Sequence, residues 1–242
     1  MAWALLVASL AALVWFHRND VGNFGRFRAI DDSRMRQRVF LRWAAGACAM
    51  YLGVPLLGLT VLGRLDALWF FPEEFWDVAL AVPWIDTGSV LTGAAIGVLI
   101  SAAIVGAAIA VRRGRPARPP AGLDITPMLP RNRAELLHVV PLVVNAGISE
   151  EIFFRVYLPL LLGLTGAGGW AAFAIPALIF GALHRYQGWL GVLVTTALGA
   201  VFTFLYLGGG GLLLPILFHL FINANALLFR PAVQLWFRRP AD

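Results

Sequence analysis

Seven apolar windows of membrane length constrain this chain more than any other feature. They fall at about 2–16, 43–63, 88–111, 134–165, 170–185, 189–207 and 212–230. A backbone in hydrocarbon must satisfy its own N–H and C=O groups, so such windows read as helices. The expected fold class is all-α: a polytopic transmembrane helix bundle of about seven spans, eight if the fourth window breaks. That window is too long. Its ~32 residues at 1.5 Å each give about 48 Å against a ~30 Å hydrocarbon core. It must tilt, kink (at Pro141) or begin as an interfacial helix.

Of the 242 residues, 60% are hydrophobic and 13% charged, which excludes an ordinary soluble domain. All 19 basic residues are Arg. The net charge of +6 raises the question of nucleic acid. The arginines cluster instead where topology explains them, and no nucleic-acid partner is expected. Seven lie between Arg18 and Arg42, six between Arg112 and Arg133, and three in the tail at Arg230, Arg238 and Arg239. Only Arg64 falls on the opposite side. The N-terminus is therefore expected outside and the C-terminus in the cytoplasm. The aromatic-rich 64–87 loop reads as an amphipathic segment in the outer interface. The first window lacks a basic flank before it and reads as a retained span rather than a cleaved signal. Cys48 lies in an apolar run and has no second cysteine to pair with. The segments divide as N-terminal spans and basic loops (1–133), a helical core (134–230) and a short tail (231–242).

Polar residues stranded in three of these windows are the candidate site. They are Glu150, Glu151 and Arg155; Phe180 and His184; and His219 and Asn223. An ionisable side chain at bilayer depth costs about 2.5–3.5 kcal/mol on insertion scales, so it marks function by default. Spacings of four place the key residues of each group on one helix face. Arg155 can pair with Glu151, leaving Glu150 free as a base. A buried Glu–Arg pair that fixes helix packing accounts for one carboxylate but not for two. His184 beside Arg185 also reads as an interfacial anchor, and Phe180 as packing. His219 and Asn223 also read as interhelical hydrogen-bond donors. His17 and His138 are lone histidines near interfaces and receive no role. No HExxH, GxSxG, GxGD-like or Walker-type pattern is present.

These three groups resemble the CPBP family (CAAX proteases and bacteriocin-processing enzymes, also called Abi), which is marked by EExxxR, FxxxH and HxxxN/D in that order. The resemblance covers roughly residues 134–230, with Val156 standing where many members have Gly. It implies an intramembrane endopeptidase. Glu150 with His184 would activate a water, His219 and Asn223 would stabilise the oxyanion, and Glu151 with Arg155 would support Glu150. Members are often described as metalloproteases. Glu150, His184 and His219 would be the ligands of a divalent metal such as zinc, a donor set the residues permit.

The expected activity is hydrolysis of a peptide bond in a membrane-associated substrate, either a CAAX-type prenylated protein or a bacterial leader or signal peptide. The alternatives are a non-enzymatic scaffold or bacteriocin-immunity factor, and a proton-coupled transporter built on the buried Glu and His. The expected setting is a bacterial or archaeal cytoplasmic membrane. The depth of the three groups predicts a polar cavity within the bilayer, open toward the cytoplasm.

Overall fold

Helix caps and glycine turns mark where the long helices begin and end. The computed structural model describes residues 1–86 and 122–237, with isolated positions between them. After α1 (Ala2–Arg28), Asp32 accepts a hydrogen bond from the Met35 amide at 2.7 Å and starts α2 (Ser33–Leu62). Gly63, at φ 68°, ends α2 in the left-handed conformation that only glycine adopts freely. Asn132 caps α3 (Arg133–Leu164), accepting from the Glu135 amide at 2.9 Å. Then come α4 (Gly169–Leu183), α5 (Trp189–Gly208) and α6 (Leu213–Trp236). Gly188, at φ 94°, joins α4 to α5, where a Cβ would lie 2.4 Å from the Gly122 carbonyl oxygen.

The fold is an all-helical bundle, and no strand occurs among the described residues. Among the described residues, five helices (α1, α2, α3, α5 and α6) are long and apolar enough to cross a membrane. Helix α4 corresponds to the fifth apolar window but spans only about 22 Å. Most of the third window, and Arg112 to Arg118, lie outside the described residues.

Helix α3 is the axis of the bundle. Residues 151–162 are buried on every side, as expected of a helix apolar all round. Leu6 and Leu13 of α1, Met50 and Tyr51 of α2, Phe173 and Phe180 of α4, and Phe202 and Tyr206 of α5 share its core. The Tyr157 hydroxyl bonds the Ser9 hydroxyl at 2.9 Å. Its ring occupies the space that a Cβ on Gly58 would need. Large apolar side chains such as Trp3, Leu57, Leu178 and Leu193 are exposed, as befits a bilayer-facing surface. Helices α4 and α5 approach closely because Gly181 packs on Thr196 and Gly199 on Ala177.

Three features differ from the sequence reading. The basic stretch after residue 16 is helical through Arg28 and again from Ser33, so it is a tight connection between two long helices. Arg36, counted above among the topological arginines, is fully buried. Its Nε bonds Glu135 Oε2 at 3.1 Å, and its Nη2 donates to the carbonyls of Pro127 and Leu129. The guanidinium also lies 4.3 Å from the Phe27 ring centroid. Glu135 makes that burial tolerable, because a paired and hydrogen-bonded charge avoids most of the desolvation penalty. In the aromatic segment after Arg64, Trp69, Phe70, Trp76 and Trp84 are exposed. Phe75, however, turns inward and meets Phe173 edge-on at 4.8 Å.

Candidate active site

The three polar groups converge on one region of the bundle. Glu150 and Glu151 sit where α3 departs from regular α geometry, with wide π-type turns at Ala146–Glu150 and Ile152–Tyr157. Such turns concentrate at functional sites, because an extra residue per turn re-aims the side chains that follow. Here the two adjacent carboxylates acquire different neighbours. Glu151 is fully buried, with Oε1 2.7 Å from His219 Nδ1 and Oε2 3.1 Å from Arg155 Nε. Glu150 is largely buried. It stands 3.9 Å from His219 Nε2 and faces open space.

Arg155 is fully enclosed. Its contact with Glu151 is an ion pair outside hydrogen-bond alignment, and Nη1 and Nη2 have no hydrogen-bond partner. The guanidinium instead lies 5.1 Å from the ring centroid of Phe180 and 5.2 Å from that of Phe202. Both rings are within cation–π range. Phe180, read from sequence as packing, therefore connects three parts of the site. Its ring is 4.8 Å from that of His184 and 6.0 Å from that of His219.

His184 begins the short helical turn that follows α4. Its Nδ1 lies 2.7 Å from the Phe180 carbonyl oxygen. A carbonyl only accepts, so Nδ1 is the donor here, and in the neutral ring Nε2 keeps its lone pair. His219, on α6, is buried and stacks on Phe202 at 4.7 Å. With Nδ1 bonded to Glu151, its Nε2 is the nitrogen left toward Glu150. Asn223, one turn along α6, shares a cavity wall with His219.

That cavity measures about 270 Å³ and contains Glu150, His184, His219 and Asn223 in its lining. Its other walls are largely apolar, from Leu142, Ala146, Leu198 and Ile222 among others. A second cavity of about 100 Å³ adjoins it, and Glu150 and His184 line both. Glu151 and Arg155 line neither. Helices α3 and α6 come close here because Gly147 has no side chain. A Cβ there would lie 2.6 Å from Leu220 Cδ2 and 3.2 Å from the Leu220 amide nitrogen.

The smaller cavity also contains His17 of α1, together with Trp43 and Tyr51 of α2. No role was assigned to His17 from sequence, and nothing local in the chain marks it. It shares that cavity's wall with Glu150 through the packing of α1 against the rest of the bundle. His138 is different: it is bonded to the Ala134 carbonyl and lines neither cavity. For a metal, no group of three or more His, Cys, Asp or Glu among the described residues has ligating geometry. Glu150 and His219 are 3.9 Å apart, and Glu151 is already engaged by His219 and Arg155. Glu150, His184 and His219, the set that the resemblance implies, are thus not gathered into such a group in this arrangement.

No curated protein and no solved structure matches the chain. Residues 132–225 match the family model described as Type II CAAX prenyl endopeptidase Rce1-like. The segment that carries all three motifs, from the cap of α3 to just past Asn223, is thus similar to the CAAX-protease family of membrane endopeptidases.

Proposed function

We propose that this protein is an intramembrane endopeptidase in which Glu150 and His184 activate a water against a peptide carbonyl. The observation that carries this reading is the position of those two side chains in the shared wall of two cavities. Both face open space, while the neighbouring Glu151 and Arg155 are sealed in protein. Glu150 takes the proton as the water oxygen bonds to the carbonyl carbon, and His184 Nε2 accepts a hydrogen bond that orients that water. Negative charge then develops on the carbonyl oxygen. His219 Nε2, carrying a proton, and the Asn223 amide donate to it, and the Glu151 carboxylate balances the charge on the imidazole. The C–N bond breaks as Glu150 returns its proton to the leaving amine. No step passes through a metal.

The substrate is a membrane-associated protein or peptide, a CAAX-type prenylated protein or a bacterial leader or signal peptide. Largely apolar walls around the reacting groups support an apolar chain next to the scissile bond. Purified protein in detergent should cleave fluorogenic lipidated peptides, as read by mass spectrometry, and Glu150→Gln should not. Cleavage by Glu150→Gln at the wild-type rate removes the base assignment and favours a scaffold. Proton-coupled flux in liposomes without cleavage favours a transporter.

The orientation belongs to the same proposal, with the N-terminus outside and the site open to the cytoplasm. Cysteines at Leu80 and Arg34, both exposed, lie on opposite sides in this reading. In a Cys48→Ser background, Leu80→Cys should label from outside and Arg34→Cys only after permeabilisation. The reverse pattern inverts the topology.

A further inference from the structure

A third cavity lies on the α1–α2 side of the bundle. It is the largest of the three, about 440 Å³, and runs between Ala12, Trp15 and Phe16 of α1 and Gly46, Met50 and Val54 of α2. Asn19 and Arg42 give it a polar rim. Ala49 and Trp15 in its wall are exposed, so it opens onto the lipid-facing surface. Two residues, Phe16 and Trp43, line both this groove and the cavity that holds Glu150 and His184. The three spaces thus form a series of about 440, 100 and 270 Å³ from the bilayer surface to the oxyanion donors.

The two dividing side chains are held differently. Trp43 is fixed by three aromatic neighbours, Phe24, Phe27 and Phe40, with centroids at 6.2, 4.6 and 6.2 Å. Among the described residues, the aromatic neighbour of Phe16 is Tyr51, edge-on at 5.8 Å. Beneath the Phe16 ring is Gly46, where a Cβ would come within 3.2 Å of Phe16 Cε2. One side chain is a fixed post, and the other rests on a position without a side chain. Phe16 is half-buried at the edge of the core, and the glycine leaves space on one side of its ring for another rotamer.

We propose that the α1–α2 groove is the lateral entry for the apolar chain of a membrane-anchored substrate, with Phe16 as the gate between groove and site. This rests on the endopeptidase reading and extends it to a region outside the matched segment 132–225. The groove suits a flexible hydrocarbon chain: it holds about 440 Å³, is walled mostly by apolar groups, and shares Phe16 and Trp43 with the cavity that holds Glu150. An anchored substrate diffuses in the plane of the bilayer and reaches this groove without leaving lipid.

The test compares one peptide with and without an attached hydrocarbon chain. Gly46→Leu fills the floor of the groove and pins Phe16. It should lower kcat/KM for the lipidated peptide about tenfold or more relative to the unlipidated one, chiefly through KM. Phe16→Ala should raise that ratio several-fold. Ala174→Leu, on an exposed face of α4 away from the groove, serves as the comparison and should leave the ratio unchanged. An unchanged ratio in Gly46→Leu and Phe16→Ala overturns the route. If Gly46→Leu fails to fold, a lipidated peptide with a photoreactive group on its chain decides the matter on the wild-type protein. Crosslinks within 12–16 and 46–54 support the groove, and crosslinks confined to other helices overturn it. Failure of the wild type to cleave either peptide counts against the endopeptidase reading alone, since the crosslinking needs no turnover.

Discussion

His219 is bonded to Glu151 rather than to Glu150. Its Nδ1 is 2.7 Å from Glu151 Oε1, while its Nε2 stands 3.9 Å from Glu150 Oε2. Two adjacent carboxylates of identical chemistry are thereby separated in function. One is committed to an imidazole and a guanidinium, and the other faces a cavity. Their amide variants should fail in different ways.

Glu150→Gln should lower kcat by about 10²–10⁴-fold, the usual range for losing a general base, with little change in melting temperature. Glu151→Gln should lower both, because it leaves a buried guanidinium uncompensated, a defect that typically costs about 3–5 kcal/mol. Activity assays paired with thermal unfolding in detergent separate the two. Equal melting temperatures in the two variants would contradict the division of roles.

Phe180 should matter beyond its own volume. Phe180→Ala removes a ring that packs on Arg155, His184 and His219 together, and large-to-small changes of this kind cost about 3–5 kcal/mol. Phe180→Leu keeps most of the volume and the backbone carbonyl that holds His184 Nδ1. It should retain more stability than activity. Wild-type turnover in Phe180→Leu would show that the ring merely fills space.

Gly147→Ala tests how tightly α3 and α6 must approach. The new methyl meets Leu220, and overpacking of this kind costs about 1–3 kcal/mol. Moving α6 also moves His219 away from Glu151, so turnover should fall more than stability alone explains. Adding Leu220→Ala removes the side-chain part of the clash and should restore part of both. No recovery in the double variant would point to the 3.2 Å contact with the Leu220 amide as the obstacle.

The Arg36–Glu135 pair should behave as a buried clamp between α2 and the start of α3. Arg36→Met or Glu135→Leu alone leaves one buried charge and should lower the melting temperature strongly. The double variant should be less destabilised than the sum of the two, since neither charge remains alone. Additive losses in the thermal unfolding of all three variants would exclude the coupling.

Outside the spans, Arg64 holds the Glu74 carboxyl below its ordinary range by hydrogen bonding, with Nη2 2.9 Å from Oε2, and burial opposes the shift. A carboxyl with a depressed folded pKa adds stability above its unfolded value of about 4.3, and that stability is lost as the pH falls through the folded value. The melting-temperature gap between wild type and Glu74→Gln should therefore be constant above about pH 5 and close below about pH 4. The pair is partly exposed, so its full worth is about 1 kcal/mol or less. A gap that widens on acidification would reverse the assignment.

The helical class, five of the long helices and the convergence of Glu150, Glu151, Arg155, His184, His219 and Asn223 were legible in the chain itself. Their signals are local: bilayer-length apolar runs, spacings of four, and polar atoms where hydrocarbon should be. Tertiary structure alone decided which glutamate His219 would bond, because that depends on π-type turns in α3 and the close approach of α6 over Gly147. It also decided that Arg36 is interior, since its partner Glu135 lies 99 positions away. The same holds for His17 and Phe16, which α1 carries against the site from outside the motif-bearing segment. Contacts of that range leave no periodicity in sequence, because each is fixed by how whole helices pack rather than by the residues beside it.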